Sequence, residues 1–258
     1  MKKKLFVISD IHNNYQAMID GLNEAGFDEN NPSHLLIVCG DMFDRKPGCA
    51  VAVYEYLKKL TDNNKAIVIR GNHCSMIQSY IDGSSISPFN YLHNGTNETL
   101  ADFWHRTAPF ESWCTLEGNC DLNNKTFAQW LEIARKDINE EYPELLPWLK
   151  SLPYYYETKN YIFTHGMING QCENWHNPPE GWDSLTWSKP IDFYEGITNT
   201  DKKVVVGHIN CGLLRSLISQ DENDNSIFER SDGKVIGIDT CTPLTKKVNV
   251  LVLEDELI

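Results

Sequence analysis

Nowhere does the sequence run apolar for the ~18–20 positions that a bilayer crossing needs, and its longest apolar runs, such as Leu35 to Cys39, are strand-sized. A membrane span is therefore excluded and a soluble protein expected. There is also no Cys-x-x-Cys pair: Cys39, Cys49, Cys74, Cys114, Cys120, Cys172, Cys211 and Cys241 are scattered. The start, Met1-Lys-Lys-Lys followed by Leu5 to Ile8 and then Ser9 and Asp10, is too short in its apolar part for an export signal. Free thiols and a cytoplasmic location are the expectation. Basic residues are few, 23 Lys and Arg against 36 Asp and Glu, leaving a net charge of −13. Loose binding to a nucleic-acid backbone needs the opposite balance, so any cation at a phosphate site must act locally. Repeats and low-complexity tracts are absent as well.

What is present is a series of short β-branched runs, each followed by turn residues: Leu5 to Ser9, Leu35 to Cys39, Ala66 to Arg70, Tyr161 to Thr164, Val204 to Val206, Val235 to Ile238 and Val248 to Leu253. Between the early runs the apolar spacing turns helical, at Tyr15, Ile19, Leu22 and Ala25, then at Val51, Tyr54, Leu57 and Leu60. A βαβαβ first half favours parallel strands and an α/β fold. From Ile81 the pattern shifts to Gly, Ser, Asn and aromatic residues, and helical signals return only at Phe127 to Ile138 and Glu144 to Leu152. One domain over 1–258, with 81–139 inserted as a helical cap, is the expected organisation.

The chemistry gathers where the runs end. The first ends in Asp10-Ile-His12, the second in Gly40-Asp41-Met-Phe-Asp44-Arg45, and the third in Arg70-Gly-Asn72-His73. Later runs end in Thr164-His165-Gly166 and Gly207-His208-Ile-Asn210. Ligands of α/β sheets collect beyond the carboxyl ends of strands, so five such endings can share one crevice. A single ending of this kind is explained by turn chemistry alone, but five in order are not.

These ordered motifs resemble the calcineurin-like metallophosphoesterases, and within them the phosphoprotein-phosphatase branch of serine/threonine phosphatases and symmetrical dinucleoside tetraphosphatases. Leu149-Lys-Ser-Leu-Pro153, ahead of the His165 motif, looks like that branch too. The resemblance implies a four-layer αββα sandwich with two divalent metal ions, manganese first, iron or zinc as alternatives. It implies Asp10, His12 and Asp41 on the first ion, and Asp41, Asn72, His165 and His208 on the second. A hydroxide bridging the ions would attack phosphorus in line. His73 would protonate the leaving oxygen while Asp44 orients its ring, and Arg45 and Arg70 would grip the phosphoryl oxygens. Oxygen and imidazole donors without thiolate suit those metals independently of the resemblance.

Departures from the pattern are few. Cys74 stands where relatives often have a Glu, removing a carboxylate that would support the ligands from behind. Asn210 stands where nuclease branches carry a second histidine, which favours the phosphatase branch. Lys189, in Leu185-Thr-Trp-Ser-Lys-Pro190, replaces a common arginine and is a candidate for substrate contact. Gly237-Ile-Asp-Thr-Cys241 looks like a late supporting segment, and Trp175, His176, Trp182 and Trp187 are candidates to wall the crevice. The reading is a metal-dependent phosphatase for phosphate monoesters, with a phosphoprotein or nucleotide as substrate. A dinucleoside polyphosphate hydrolase and a catalytically silent metal-binding scaffold are the alternatives.

Overall fold

From Leu5 to the end of β1 (Lys2–Ile8) every side chain is buried, a burden that only a strand covered on both faces carries. Leu5 and Val7 join one apolar cluster, while Phe6 and Ile8 join another. The computed structural model describes residues 2–45, 48–84, 93–105, 125–170, 174–176, 182–195, 197 and 199–258.

β1 lies in a four-stranded sheet with β2 (His34–Cys39), β3 (Ala66–Ile69) and β9 (Leu251–Glu256), in the order β3-β2-β1-β9. β1, β2 and β3 are parallel, Leu5 opposite Leu35 and Val38 opposite Val68, and β9 runs antiparallel to β1. A second sheet has the order β4-β5-β6-β8-β7, built from β4 (Tyr155–Glu157), β5 (Tyr161–Thr164), β6 (Lys203–Val206), β7 (Phe228–Glu229) and β8 (Val235–Gly237). Its three central strands are parallel and its two edges antiparallel.

The clusters define the layers. Leu5, Val7, Leu35, Ile37 and Ile69 meet Phe163, Val205 and Ile236 between the sheets. Phe6, Leu36, Val38 and Val68 pack outward against Met18 and Leu22 of α1 (Tyr15–Glu24) and Val53, Leu57 and Leu60 of α2 (Ala50–Asp62). Ile162, Val204 and Val206 pack on the opposite side against Leu185, Phe193 and Leu214, carried by short helical segments. Each such aliphatic side chain stabilises the fold by about 1.5–3 kcal/mol. The result is the mixed α/β architecture that the strand pattern led us to expect, in the four layers that the resemblance implies.

All seven expected strands are present, although the last is shifted to Leu251–Glu256, where it runs antiparallel to β1. The edge strands β4 and β7 were not expected, because at three and two residues they carry no periodicity. α3 (Asn72–Asp82) begins directly at the third motif. The 81–139 stretch contains α4 (Thr96–Trp104) and all but the last two residues of α5 (Lys125–Glu141), and their Leu100, Phe103, Leu131, Ala134 and Ile138 enter the same core as Phe6 and Ile8. Residues 85–92 and 106–124 of that stretch lie outside the described residues. Cys39, Cys49, Cys74, Cys211 and Cys241 are free thiols, while Cys114, Cys120 and Cys172 lie outside the described residues. Among the described residues no helix is long and apolar enough to cross a membrane.

Candidate metal centre

The parallel strands deliver their carboxyl ends to one place. Beyond β1 and β2 the chain runs on side by side, with Asp10 N–H donating to the Gly40 carbonyl at 3.3 Å and His12 N–H to the Asp41 carbonyl at 3.1 Å. The two sheets are tied together there by the His165 ring, whose Nδ1 donates to the Cys39 carbonyl at 2.9 Å. Twelve described non-glycine residues have positive φ, and seven of them are here: Asp10, His12, Asn13, Asp41, Asp44, Arg45 and His208. Such backbone costs about 1–3 kcal/mol per residue and concentrates where function demands it. Glycines supply the room: a Cβ on Gly40, at φ +82°, would fall 2.5 Å from His165 Nδ1, and one on Gly71 would fall 2.1 Å from Asp41 Oδ1.

Two groups of ligand-type atoms result, each within 4.8 Å of one another: His12, Asp41 and His73, and Asp41, His165 and His208. Asp41 is common to both. In the second group the atoms press on a single point. A carbonyl only accepts, so His165 Nδ1 carries the hydrogen, and a neutral ring then offers Nε2 as a lone pair. Around that Nε2 stand Asn72 Oδ1 at 2.9 Å, His208 Nδ1 at 3.1 Å and Asp41 Oδ2 at 3.2 Å. One proton can serve one of these contacts, whereas a divalent cation serves all of them, so the donor set fits a metal ion.

The first group is looser. His12 Nδ1 donates to the Phe43 carbonyl at 2.8 Å, which leaves its Nε2 facing Asp10 Oδ1 at 3.7 Å. His73 Nε2 lies 3.8 Å from Asp41 Oδ2, fully buried and without a hydrogen-bond partner. Asp10 stands beside this group rather than inside it, and its Oδ2 accepts the His208 backbone N–H at 3.0 Å.

The charges follow from burial and from one another. Burial alone would raise Asp41, but the imidazoles of His165, His73 and His12 hold its carboxyl well below the usual range. Burial would lower His165, yet Asp41 carries it up to about 9. His12 is pushed down to about 3 by burial and by His73, and His208 down to about 4 by burial and by His165. Asp10 is raised well above an ordinary carboxyl by burial and by Asp239, which is itself pushed up to about 6 by burial. Three buried acids around four imidazoles thus favour a site that a cation completes.

The remaining expected residues divide. Asp44 lies with His73: its Oδ2 accepts from His73 Nδ1 at 2.9 Å, and both are fully buried. Arg45 is exposed at the rim, its Nη1 donating to Asn94 Oδ1 at 3.2 Å. Arg70 is buried and largely engaged, with Nη1 on Gln78 Oε1 at 2.7 Å and Nη2 on the Leu149 carbonyl; its Nε has no partner. Lys189 is exposed and follows Ser188, whose carbonyl meets the His208 ring. Trp187 is exposed with its ring 5.8 Å from that of His208, while Trp175 is buried and the Trp182 side chain lies outside the described ones. Cys74 packs fully buried in the core, and burial pushes its thiol up to about 11, so it behaves as a small apolar residue. Sequence reasoning missed Thr96 and Thr99, which both donate to Asp44 at 2.9 Å. The helical spacing of Thr96, Leu100, Phe103 and Trp104 was the available signal. It also undervalued Asp239, placed in a merely supporting segment.

Comparison with known proteins agrees with this architecture. A structure of a candidate diadenosine tetraphosphatase is 13% identical with a TM-score of 0.52, covering 98% of this chain and 94% of that one. A serine/threonine phosphatase from Saccharomyces cerevisiae is 14% identical at a TM-score of 0.55, over 99% of this chain and 80% of that one. A cold-active protein-tyrosine phosphatase from a psychrophilic Shewanella is 15% identical at 0.54, over 97% and 75%. At such identities the likeness is one of fold. No curated protein is a significant match. The model of the calcineurin-like phosphoesterases, however, matches residues 3–250, so the layered sheets and their convergent strand ends are those of a calcineurin-like phosphoesterase, the family to which this chain belongs.

Proposed function

We propose that the chain is a binuclear-metal phosphoesterase that hydrolyses phosphate monoesters. The observation that carries the reading is Asp41, one carboxylate shared by two groups of ligand atoms. His12 and Asp41, with Asp10 beside them, would hold one divalent ion, and Asp41, Asn72, His165 and His208 the other, with manganese the first choice. Bound there, such ions supply Lewis acidity and lower the pKa of a shared water.

The chain's own residues do the rest. His73 presents Nε2 toward the centre while Nδ1 donates to Asp44, so a proton on Nε2 faces the leaving oxygen and the Asp44 carboxylate steadies the resulting charge. The Arg45 guanidinium stands at the open rim, near enough to act on His12, where it can draw in a phosphoryl group. Arg70 holds the β3 end against α3 and the Leu149 carbonyl, with Nη1 and Nη2 engaged there and Nε buried without a partner, so its part is to brace the loop that carries Asn72 and His73. Lys189, next to Ser188 whose carbonyl meets the His208 ring, offers an exposed point charge.

The test is phosphate release from an aryl phosphate with Mn²⁺ supplied, and His73→Ala should slow turnover far more than it lowers bound metal. Equal turnover would remove His73 from the acid role. A panel of phosphopeptide, dinucleoside tetraphosphate, mononucleotide and diester then ranks substrates, and fastest turnover of the tetraphosphate would replace the monoester reading. Bound metal without release from any of them would identify a silent scaffold.

A further inference from the structure

Asp44 and His73 lie on motifs, yet what holds Asp44 comes from the 81–139 stretch. Its Oδ2 accepts from His73 Nδ1 and from Thr96 Oγ1, and its Oδ1 accepts from Thr99 Oγ1, each at 2.9 Å. Thr99 Oγ1 in turn accepts the Asp44 backbone N–H at 2.9 Å and Asn13 Nδ2 at 3.0 Å. A threonine hydroxyl has one hydrogen and two lone pairs, so these three partners saturate it and commit its hydrogen to Asp44. All four groups, Asp44, His73, Thr96 and Thr99, are buried beyond the reach of competing water.

The loop that carries Asp44 is strained. Asp44 and Arg45 have φ of 73° and 75°. The segment before α4 fastens this backbone, with Arg45 N–H donating to the Asn94 carbonyl at 2.7 Å. Gly95 lies so close that a Cβ there would fall 2.6 Å from the Arg45 backbone nitrogen.

We infer that Thr96 and Thr99 are positioning residues for the His73–Asp44 pair, fixing the carboxylate so that the imidazole can turn neither away from the centre nor into the other tautomer. The inference rests on the reading of His73 as general acid. It assigns a catalytic duty to the 94–99 segment, which none of the five motifs includes. The hydroxyls touch no substrate; they act through Asp44.

Loss of general-acid assistance hurts poor leaving groups more than good ones. With Mn²⁺ supplied, Thr96→Val, which removes a single hydrogen bond, should lower kcat on phenyl phosphate by about tenfold to a hundredfold with KM unchanged. The loss on p-nitrophenyl phosphate should be several times smaller. Thr99→Val should show the same ratio more strongly, and Thr96→Ser and Thr99→Ser should restore the wild-type ratio. In the metal-free protein, the proton NMR signal of His73 Nδ1–H, assigned by its loss in His73→Ala, should shift in both valine variants. Equal losses on the two esters together with an unmoved signal overturn the inference, while a leaving-group effect in His73→Ala would leave the acid reading intact. Equal losses in His73→Ala itself would overturn both.

Discussion

The two ligand groups share Asp41 but hold it differently. Around His165 the contacts run from 2.9 to 3.2 Å, and a protonated imidazole there is paired with Asp41. In the first group His73 Nε2 stands off Asp41 Oδ2 at 3.8 Å, His12 Nε2 faces the neighbouring Asp10 at 3.7 Å, and the His12 ring is neutral far below physiological pH. The difference lies in where the ligands come from. His165 and His208 follow adjacent parallel strands of one sheet by one and two residues, and His165 meets Asn72 at the start of α3, so short connections to regular elements set the distances. His12 lies in a loop beyond β1, and its neighbour His73 is drawn aside toward Asp44. A preformed second group and a more open first group should differ in affinity.

Removing what they share is the most destructive way to erase that contrast: Asp41→Asn should leave no tightly bound metal and cut phosphate release about a thousandfold or more, read by elemental analysis and turnover. Next, His208→Ala and His12→Ala should separate the groups. His12→Ala should keep one ion per chain after dialysis, whereas His208→Ala, which removes a direct donor, should weaken the tighter ion in a metal titration by at least the ~10–100-fold seen when mere supporting contacts are lost. Equal retention by both variants would dissolve the comparison. Gly40→Ala probes the rigid side by packing alone: its Cβ would strike the His165 ring, so urea denaturation should show a loss of about 1–3 kcal/mol. Gly26→Ala, at a similar φ of +78° but with nothing within 4 Å of the Cβ, should cost less, about 1 kcal/mol.

A last effect, one that changes no residue, is in pH. His165 has its folded pKa raised from 6.5 to about 9, so it stabilises the metal-free protein fully below pH 6.5 and loses that contribution as pH rises through about 9. The metal-free melting temperature should fall across that window. Metal must displace the same proton, so calorimetry near pH 7 in buffers of different ionisation enthalpy should register its release, and His12, already neutral, should add nothing.

Which parts of this were legible follows from distance along the chain. The groups at the strand ends could be read because each sits within a few residues of a β-branched run that announces its own position: Asp10 after Leu5 to Ile8, His208 after Val204 to Val206. Helices α1 and α2 were legible through their periodic apolar faces. α4 was not, because Gly, Asn and Ser around it drown a nine-residue helix. The spacing of Thr96, Leu100, Phe103 and Trp104 could have marked the helix but not the role of Thr96 and Thr99, since their partner Asp44 lies 52 and 55 positions away and a threonine in isolation has no chemical signature. Arg70 illustrates the converse: its motif position argues for phosphate, while packing commits most of its guanidinium to Gln78 and Leu149.

By itself, then, the order of residues determined the strand runs, the layered α/β class and the identity of the groups offered at each strand end, because backbone preference and hydrophobic pattern act over a few neighbours. Only the tertiary structure decided that His165 crosses to the other sheet to bond Cys39, that Asp41 serves two groups of different tightness, and that two threonines from a separate helix hold Asp44. Those outcomes depend on ångström-scale separations between residues far apart in the chain, which packing sets and local pattern does not.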